Sequence, residues 1–570
     1  MHRCVLFVLF AGTCLWLAAG ATAEIYEVHP DGGGDFASIQ AAIDHAITGD
    51  TILLADGTFA GPGNRDLDFL GKAITVRSIS GDPQACTIDC GGSSGAPHRG
   101  VLFQSGETAA AVLEGIGIHS GLVSGEAPHQ AGGGILCLGA SPTLTNLVIS
   151  GCTAGDGEDG TGGGMYCESS GATLTGVTFS SNQAGGMHRT GHGGGLYAKR
   201  STLLLEQVEF TGNTAGSGYG SGYGGGLYAD SCEIDVQECR FASNTAGSSD
   251  YGSGAGGGCY ASHSTVVLES SRFESNHTQD IGAGAYLHGC AAIVLQVEFV
   301  ANSAGFPSGA GGGLYVSEPQ LTWIREALFA ENYVYALGGG LYCEGNPPIE
   351  RCTFCANATA FGDPGAAIYC QSGTPEIEDT IVAFHPMGIP VDGGTPVLSC
   401  CDVYGNADGD YVGSIAGQEA VRDNFSLDPL FCDASAEDFR LQEDSPCSGG
   451  VCVLVGAYGA GCEDPGAVGA DSPQAAGWAL ADPVPNPFTV GSRLDFQVPQ
   501  GAGARRLSLS IHDAAGRAVR LLTDGPREAG AHSQIWDGRD DAGRDLPNGV
   551  YYVRLAAGAI TLSRRAILIR

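Results

Sequence analysis

A phenylalanine stands three residues before an asparagine seven times in this chain: Phe179/Asn182, Phe210/Asn213, Phe241/Asn244, Phe273/Asn276, Phe299/Asn302, Phe329/Asn332 and Phe354/Asn357. Each Phe follows a glycine-rich block ending in tyrosine, from Gly162-Gly163-Gly164-Met165-Tyr166 to Gly338-Gly339-Gly340-Leu341-Tyr342. First Gly to Phe is 17 residues in five copies and 18 and 16 in the last two, whereas Phe to the next block varies from 9 to 15. A fixed stretch joined to an elastic one describes a rigid coil with a surface loop of free length, so the chain is a solenoid whose loops are where function concentrates. Two degenerate copies flank the array, Gly132 leading to Ile149 and Gly365 leading to Ile381, both without the Asn.

Between the blocks, Leu203-Leu204-Leu205, Ile234-Asp235-Val236 and Val266-Val267-Leu268 are short, β-rich and bounded by turn residues, with no 3.6-residue period. Repeats of 26 to 32 residues made of such strands predict an all-β, right-handed parallel β-helix. Counted from the first Gly, positions +3 and +5 are small or apolar and face inward. Position +4 then faces outward by strand alternation and holds Tyr166, Tyr197, Tyr228, Tyr260, Tyr286, Tyr315, Tyr342 and Tyr369. Two readings are open for this row: rings stacked on one another under the variable loops, or an exposed aromatic platform for sugar rings. Tyr286 and Tyr342 follow the shortest loops and are the expected least-covered members. The asparagines, Asn182 to Asn357, are expected to form an amide ladder along the bend. The residues before each Phe run Thr178, Glu209, Arg240, Arg272, Glu298, a charge-matched solvated face.

Residues 1–23 carry His2 and Arg3, an apolar run and the ending Ala21-Thr22-Ala23, which reads as a secretory leader. No later apolar stretch is long enough to span a membrane, so a secreted or cell-surface location is expected. Of 21 cysteines two lie in the leader, which leaves an odd number. In-register neighbours Cys137 with Cys167 and Cys343 with Cys370 are disulfide candidates, against the alternative of buried free thiols. Phe36, Ile39, Ile43 and Ile47 with Ser38 as N-cap predict a helix that plugs the open end, and Asp50 to Leu54 is the expected first strand. Residues 1–474 hold 14 basic and 53 acidic side chains, residues 475–570 hold 12 and 9. This break predicts the solenoid at 24–462, a linker at 463–481 and a β-sandwich at 482–570. At such negative charge nucleic acid is not an expected partner.

The Gly-Gly-Gly-Leu-Tyr and Phe-x-x-Asn blocks, with the opening Asp31-Gly32-Gly33-Gly34-Asp35-Phe36, resemble the repeats of polymorphic outer-membrane proteins and bacterial pectin-lyase-like β-helix proteins. The tail, with Val484-Pro485-Asn486-Pro487-Phe488, Trp536-Asp537-Gly538 and Asn548-Gly549-Val550-Tyr551-Tyr552, resembles the immunoglobulin-like module named after the flagellar hook-capping protein. Related tails in exported bacterial proteins imply sorting or anchoring by type IX secretion machinery. The motifs of pectate lyases and polygalacturonases are not found, and the lysines are Lys72 and Lys199 alone. The nearest constellation is His188, Arg189 and His192 beside Asp156, Glu158 and Asp159. This acidic loop offers oxygen ligands but lacks the spacing of a known calcium loop, so no metal or cofactor is expected. The functional expectation is a non-catalytic surface protein that binds polysaccharide or cell-surface glycan, the alternative being a polysaccharide lyase or hydrolase.

Overall fold

The computed structural model describes residues 23–125, 130–247, 252–360, 365–386, 388–389, 395–462, 479–481, 483, 491–499, 505–513, 518–527, 529–546, 549–557 and 560–568. The leader up to residue 22 and the expected linker through residue 478 lie outside them. The chain forms two compact units, Met1–Cys462 and Glu463–Arg570.

The first unit is a parallel β-helix. Its coils contribute strands to four long sheets of 14, 13, 11 and 9 strands, each strand hydrogen-bonded to its equivalent one coil away. One coil runs through Leu196–Lys199, Thr202–Glu206, Glu209–Thr211 and Thr214–Ser217. Leu196, Ala198, Leu203, Leu205, Phe210 and Ala215 point inward and are buried, as the alternation predicts. The glycine block makes this packing feasible. Gly193 has φ +64°, and a Cβ there would sit 2.4 Å from the Leu196 carbonyl oxygen; a Cβ on Gly195 would sit 2.9 Å from Cδ1 of Phe210. The first glycine is therefore required by the turn, and the third by the ring that follows 15 residues later.

The seven phenylalanines are fully buried and stacked, with centroids 4.4 to 5.1 Å apart from Phe179 to Phe354. Beside them the amide ladder forms. Asn213 Oδ1 accepts the Asn182 N–H and the Asn182 side-chain amide, both at 3.0 Å, while Asn213 Nδ2 donates to the Phe179 carbonyl at 2.9 Å. The same pattern continues through Asn244, Asn276, Asn302 and Asn332 to Asn357. The left-handed bend residue is the one before each Asn, for example Ser181, Ser243 and Glu331 at φ +54°, +54° and +56°, so the asparagine serves through its amide. The column outlasts the repeat. Val382, not Ile381, is in register with Phe354, and His385 stands in the asparagine place: its Nδ1 accepts the Asn357 N–H at 3.1 Å, and its own N–H donates to Asn406 Oδ1 at 3.1 Å. At the other end the Cys152 N–H donates to Asn182 Oδ1.

The helix Ile39–His45 is capped by Ser38, whose Oγ accepts the Ala41 N–H at 3.3 Å, and it buries Ile39, Ala42 and Ile43 in the solenoid core. Lys72 Nζ donates to the Ile43 and Asp44 carbonyls at its C-terminus. A strand at Ile25–Val28 precedes the helix and pairs with Thr51–Leu54. It displaces Thr51–Leu54 as the first strand; four residues are too few to show their period in sequence.

At the C-terminal end the outward positions of the phenylalanine sheet turn apolar: Val300, Leu328, Ala330, Cys355, Ile381 and Ala383. A strap over residues 425–462 folds back on them with Phe431, Phe439, Leu441, Cys447, Cys452 and Val455. Two disulfides tie it, Cys400–Cys452 and Cys432–Cys462. The expected pairs are not bonded: Cys137, Cys167, Cys343 and Cys370 are free and buried. In-register residues of parallel strands point the same way, so their sulfurs lie side by side, 3.3 Å apart for Cys343 and Cys370, without the crossed approach of Cβ vectors that a disulfide requires.

The second unit comprises a three-stranded and a four-stranded antiparallel sheet. Its own core includes Leu494, Phe496, Leu509, Ile511, Trp536, Val553 and Leu555.

The central coil gives a direct test. Phe241→Ala should cost about 3 to 5 kcal/mol by removing one ring from a closed stack. Asn244→Ala should cost a further-reaching amount, about 1 to 3 kcal/mol for each buried polar group it strands. Chemical denaturation measures both, and wild-type stability in either variant would contradict the assigned core.

Candidate functional site

The eight tyrosines occupy one column on the outer face of the 11-stranded sheet, in register coil by coil. Tyr166, Tyr197, Tyr228 and Tyr260 stack within 5° of parallel at 4.9 to 5.0 Å, and Tyr315 lies on Tyr342 at 4.2 Å. A second row, the residue before each glycine block, leans on them: His192 meets Tyr228 edge-on at 5.0 Å and Tyr223 meets Tyr260 at 5.7 Å. Hydroxyls are tethered as well, Tyr166 to Glu168 and Tyr342 to Gln371. Burial is the main cause that pushes the Tyr228 phenol up to about 12. The column is therefore a stack along most of its length, with Tyr197, Tyr342 and Tyr369 buried and the other five half-buried. Tyr342, expected to be among the least covered, is only 7% exposed. Its short loop does not matter, because cover comes from Ala310 and from the flanking rings Tyr315 and Tyr369. Tyr286 departs from the stack, turned 69° from Tyr260 and 80° from Tyr315.

The loop constellation is only partly brought together, Asp159 lying close enough to His192 to act on its charge. His192 is packed among Tyr197, Tyr223 and Tyr228, and desolvation lowers it to about 4. His188 instead stacks on Tyr219 at 4.9 Å beside the exposed Met187. The acidic side chains hold loop backbone: Glu158 accepts the Gly125 N–H and Asp159 the Thr190 N–H. Among the described residues one group has metal-ligand proximity, Asp379, Cys400 and Cys452, and its two sulfurs are bonded to each other.

On the phenylalanine sheet Glu209, Arg240, Arg272 and Glu298 are consecutive in register. Arg240 pairs with Glu209 at 2.5 Å and with Glu274, and Arg272 pairs with Glu274, with Glu298 at 2.5 Å and with Glu437 of the strap at 2.5 Å. Tyr458 adds a hydrogen bond to Glu298. The charge-matched face was legible; the strap partners were not, since nothing in the repeat announces a chain that returns to it. The C-terminal unit separately carries an open groove of about 440 Å³ over its three-stranded sheet, lined by Asp495, Gln497, Ala531 and Ser533 among others.

Residues 88–403 match the family model described as right handed beta helix region. The chain belongs to this β-helix family. Residues 485–559 match the FlgD Ig-like domain. Two curated relatives, the basal-body rod modification protein FlgD of Salmonella typhimurium and that of Salmonella typhi, are each 37% identical over 68 residues, 12% of this chain and 29% of the relative. The chain thus spans under a third of their length. Among solved structures, pectate lyase Pel9A aligns over 77% of this chain and 97% of its own at 12% identity and TM-score 0.28. The PL6 family alginate lyase AlyGC aligns over 79% and 60% at 12% identity and TM-score 0.26.

The β-helix also buries titratable groups at its C-terminal end. Asp402 is wholly buried under the strap, its Oδ1 accepting the Leu427 N–H at 3.1 Å and its Oδ2 facing the Cys447 thiol at 3.2 Å. Desolvation raises its carboxyl to about 7. The folded state thus keeps a proton that the unfolded chain releases near its ordinary value of 3.8. This contribution is present in full below that value and is lost as pH rises through about 7. His385 has the opposite sign: desolvation lowers it from 6.5 to about 4, so its contribution is full above 6.5 and is lost as pH falls toward 4. Neither group reaches a surface, so both belong to the fold. The melting temperature of Asp402→Asn relative to wild type should climb steadily between pH 5 and pH 8 (about 4 kcal/mol at most). A constant difference across that range would show that Asp402 does not titrate with folding.

Proposed function

We propose that this protein is an exported, non-catalytic β-helix that binds glycans or neighbouring surfaces through its coil face and loops. The observation that carries this reading is the commitment of several coil-face cations to structure. Arg200 is held by Glu168, Arg240 and Arg272 by the glutamate network, Arg351 by Glu326 and Lys72 by helix carbonyls. An eliminase needs such a cation directed at its substrate to take a proton and balance a carboxylate. What the coil face and loops offer instead are aromatic rings, hydroxyls and imidazoles, the groups that recognise sugars by stacking and hydrogen bonding.

The leader-like residues 1–23, the two disulfides of the strap and a polar, acidic composition support export, because disulfides persist in oxidising compartments. Among the described residues no helix is long and apolar enough to cross a membrane. We take 463–478, rather than the expected 463–481, as the linker to a tail that engages the sorting or anchoring machinery, a role supported by the type IX-like resemblance of that module, because Ala479 and Leu480 already pair with Gln497 and Phe496 in the tail's sheet.

Incubation with a polysaccharide panel, with and without calcium, tests the main reading. Retention without new reducing or unsaturated ends supports a binder; unsaturated ends would replace this reading by that of a polysaccharide lyase, and new reducing ends alone by a hydrolase. The tail is tested separately by deleting residues 479–570. The truncated protein should accumulate in the periplasm, and undiminished surface display would remove the sorting role.

A further inference from the structure

The single break in the tyrosine column coincides with a change in the row that covers it. His192, Tyr223 and Ala255 are in register on successive coils. His192 packs edge-on against Tyr228 and Tyr223 against Tyr260, each one coil ahead of its own block. By the same step Ala255 falls to Tyr286, and from there on the row carries no further ring, being continued by Ile281, Ala310 and Leu337.

At this coil Tyr286 turns out of the stack. Its ring is edge-on to both neighbours, 5.1 Å from Tyr260 and 5.2 Å from Tyr315, so its faces look across the column and neither is covered by a column partner. The ring is also held in place, its hydroxyl 3.0 Å from Ser317 Oγ. His288 Nδ1 lies 2.9 Å from the same Ser317 oxygen, and its ring is 6.1 Å from that of Tyr286 at a 31° tilt, with His263 a further 5.3 Å along. A half-buried ring of fixed orientation beside hydroxyl and imidazole groups is what stacking of a sugar's C–H face requires.

The surroundings also select among sugars. Glu318 and Glu344 are close enough to Tyr286 to act on its phenol, and the Glu318 N–H donates to Glu344 Oε2 at 3.1 Å. A uronate would meet these carboxylates in a chain of formal net charge −36, whereas an uncharged sugar would meet acceptors for its hydroxyls.

We propose that Tyr286 is a saccharide-stacking position that takes an uncharged sugar unit of a glycan and rejects uronates. This rests on the glycan-binding reading above and names its site and ligand class.

The test measures binding of cellohexaose, N-acetylchitohexaose and hexagalacturonate to the full mature protein by titration calorimetry. The wild type should bind at least one of the two uncharged oligosaccharides and not the uronate. Tyr286→Ala should weaken that binding about tenfold or more, and Tyr286→Phe, which keeps the ring, should change it little. Tyr342→Ala should leave affinity unchanged, since that ring is enclosed. Ala255→Tyr extends the covering row over the notch and should block binding while Tyr286 remains, so the site stays testable even if Tyr286→Ala folds poorly. Wild-type affinity in both Tyr286→Ala and Ala255→Tyr would overturn the site while leaving glycan binding standing. Preference for hexagalacturonate would overturn the ligand class. No binding of any of the three, with none to a wider polysaccharide panel, would overturn the glycan-binding reading and this proposal with it.

Discussion

The buried amide ladder is the interaction that the rest of the solenoid depends on. Each coil must leave the phenylalanine sheet through a residue in the left-handed region, a conformation that disfavours side chains such as Ser181 and Glu331. That bend takes the asparagine N–H and the phenylalanine carbonyl out of ordinary strand pairing. An unpaired group of either kind, sealed beside the aromatic stack, would cost about 1 to 3 kcal/mol. One asparagine side chain per coil answers both demands. Its oxygen takes the backbone N–H and the amide of the coil before, and its nitrogen reaches that coil's phenylalanine carbonyl. Because every amide both donates and accepts along the axis, the ladder also fixes register: a coil slipped by one residue would present a different side chain and strand three partners.

Register set in this way frees the loops. Beyond the asparagine and the short strand after it, nothing before the next glycine block needs to be constant, and the Phe-to-block spacing runs from 9 to 15 residues without disturbing the column on either side. Loop closure entropy rises only slowly with length, so such variation is cheap. The consequence for function is geometric. The tyrosine column is part of the scaffold wherever its rings lie on one another, and it becomes available for other work at Tyr286, where the ring turns out of the stack. Position in the column is thus less informative than the tilt of each ring against its neighbours.

The repeat made the coil legible in sequence because its residues act locally or on the next coil: Phe, Asn, the glycine block and Ser38 at the helix cap all interact across one strand spacing. What escaped was long-range. The strap meets strands more than 100 residues earlier, as in the Ala457 hydrogen bond to Thr353, and the one advance sign of it is the row Val300, Ala330, Cys355, Ala383, where outward positions lose their polarity. The pairing of Cys343 with Cys370 failed for a related reason. Distance along the axis was right, but parallel side chains present their sulfurs abreast. Loop length is a poor guide to the cover over Tyr342, because the ring is enclosed by its neighbours in the column.

The ends show how a repeat is stopped. A solenoid that simply ceased would expose an apolar cross-section and an unpaired sheet edge, a template for further strands. The N-terminal end hides its core beneath a capped helix. The C-terminal end instead lets the asparagine column run out through His385 and Asn406 and brings the chain back over its own side. There the two disulfides are found, in a segment where no ladder supplies register and a covalent tie replaces it, while the coil interior keeps its cysteines as thiols. His385 marks the change physically. An imidazole can accept the Asn357 N–H as an amide oxygen would, but it leaves Nε2 without a hydrogen bond in a buried site. The ladder therefore transmits one bond fewer at this coil, which gives a structural reason for the repeat to end within one further turn, at Asn406.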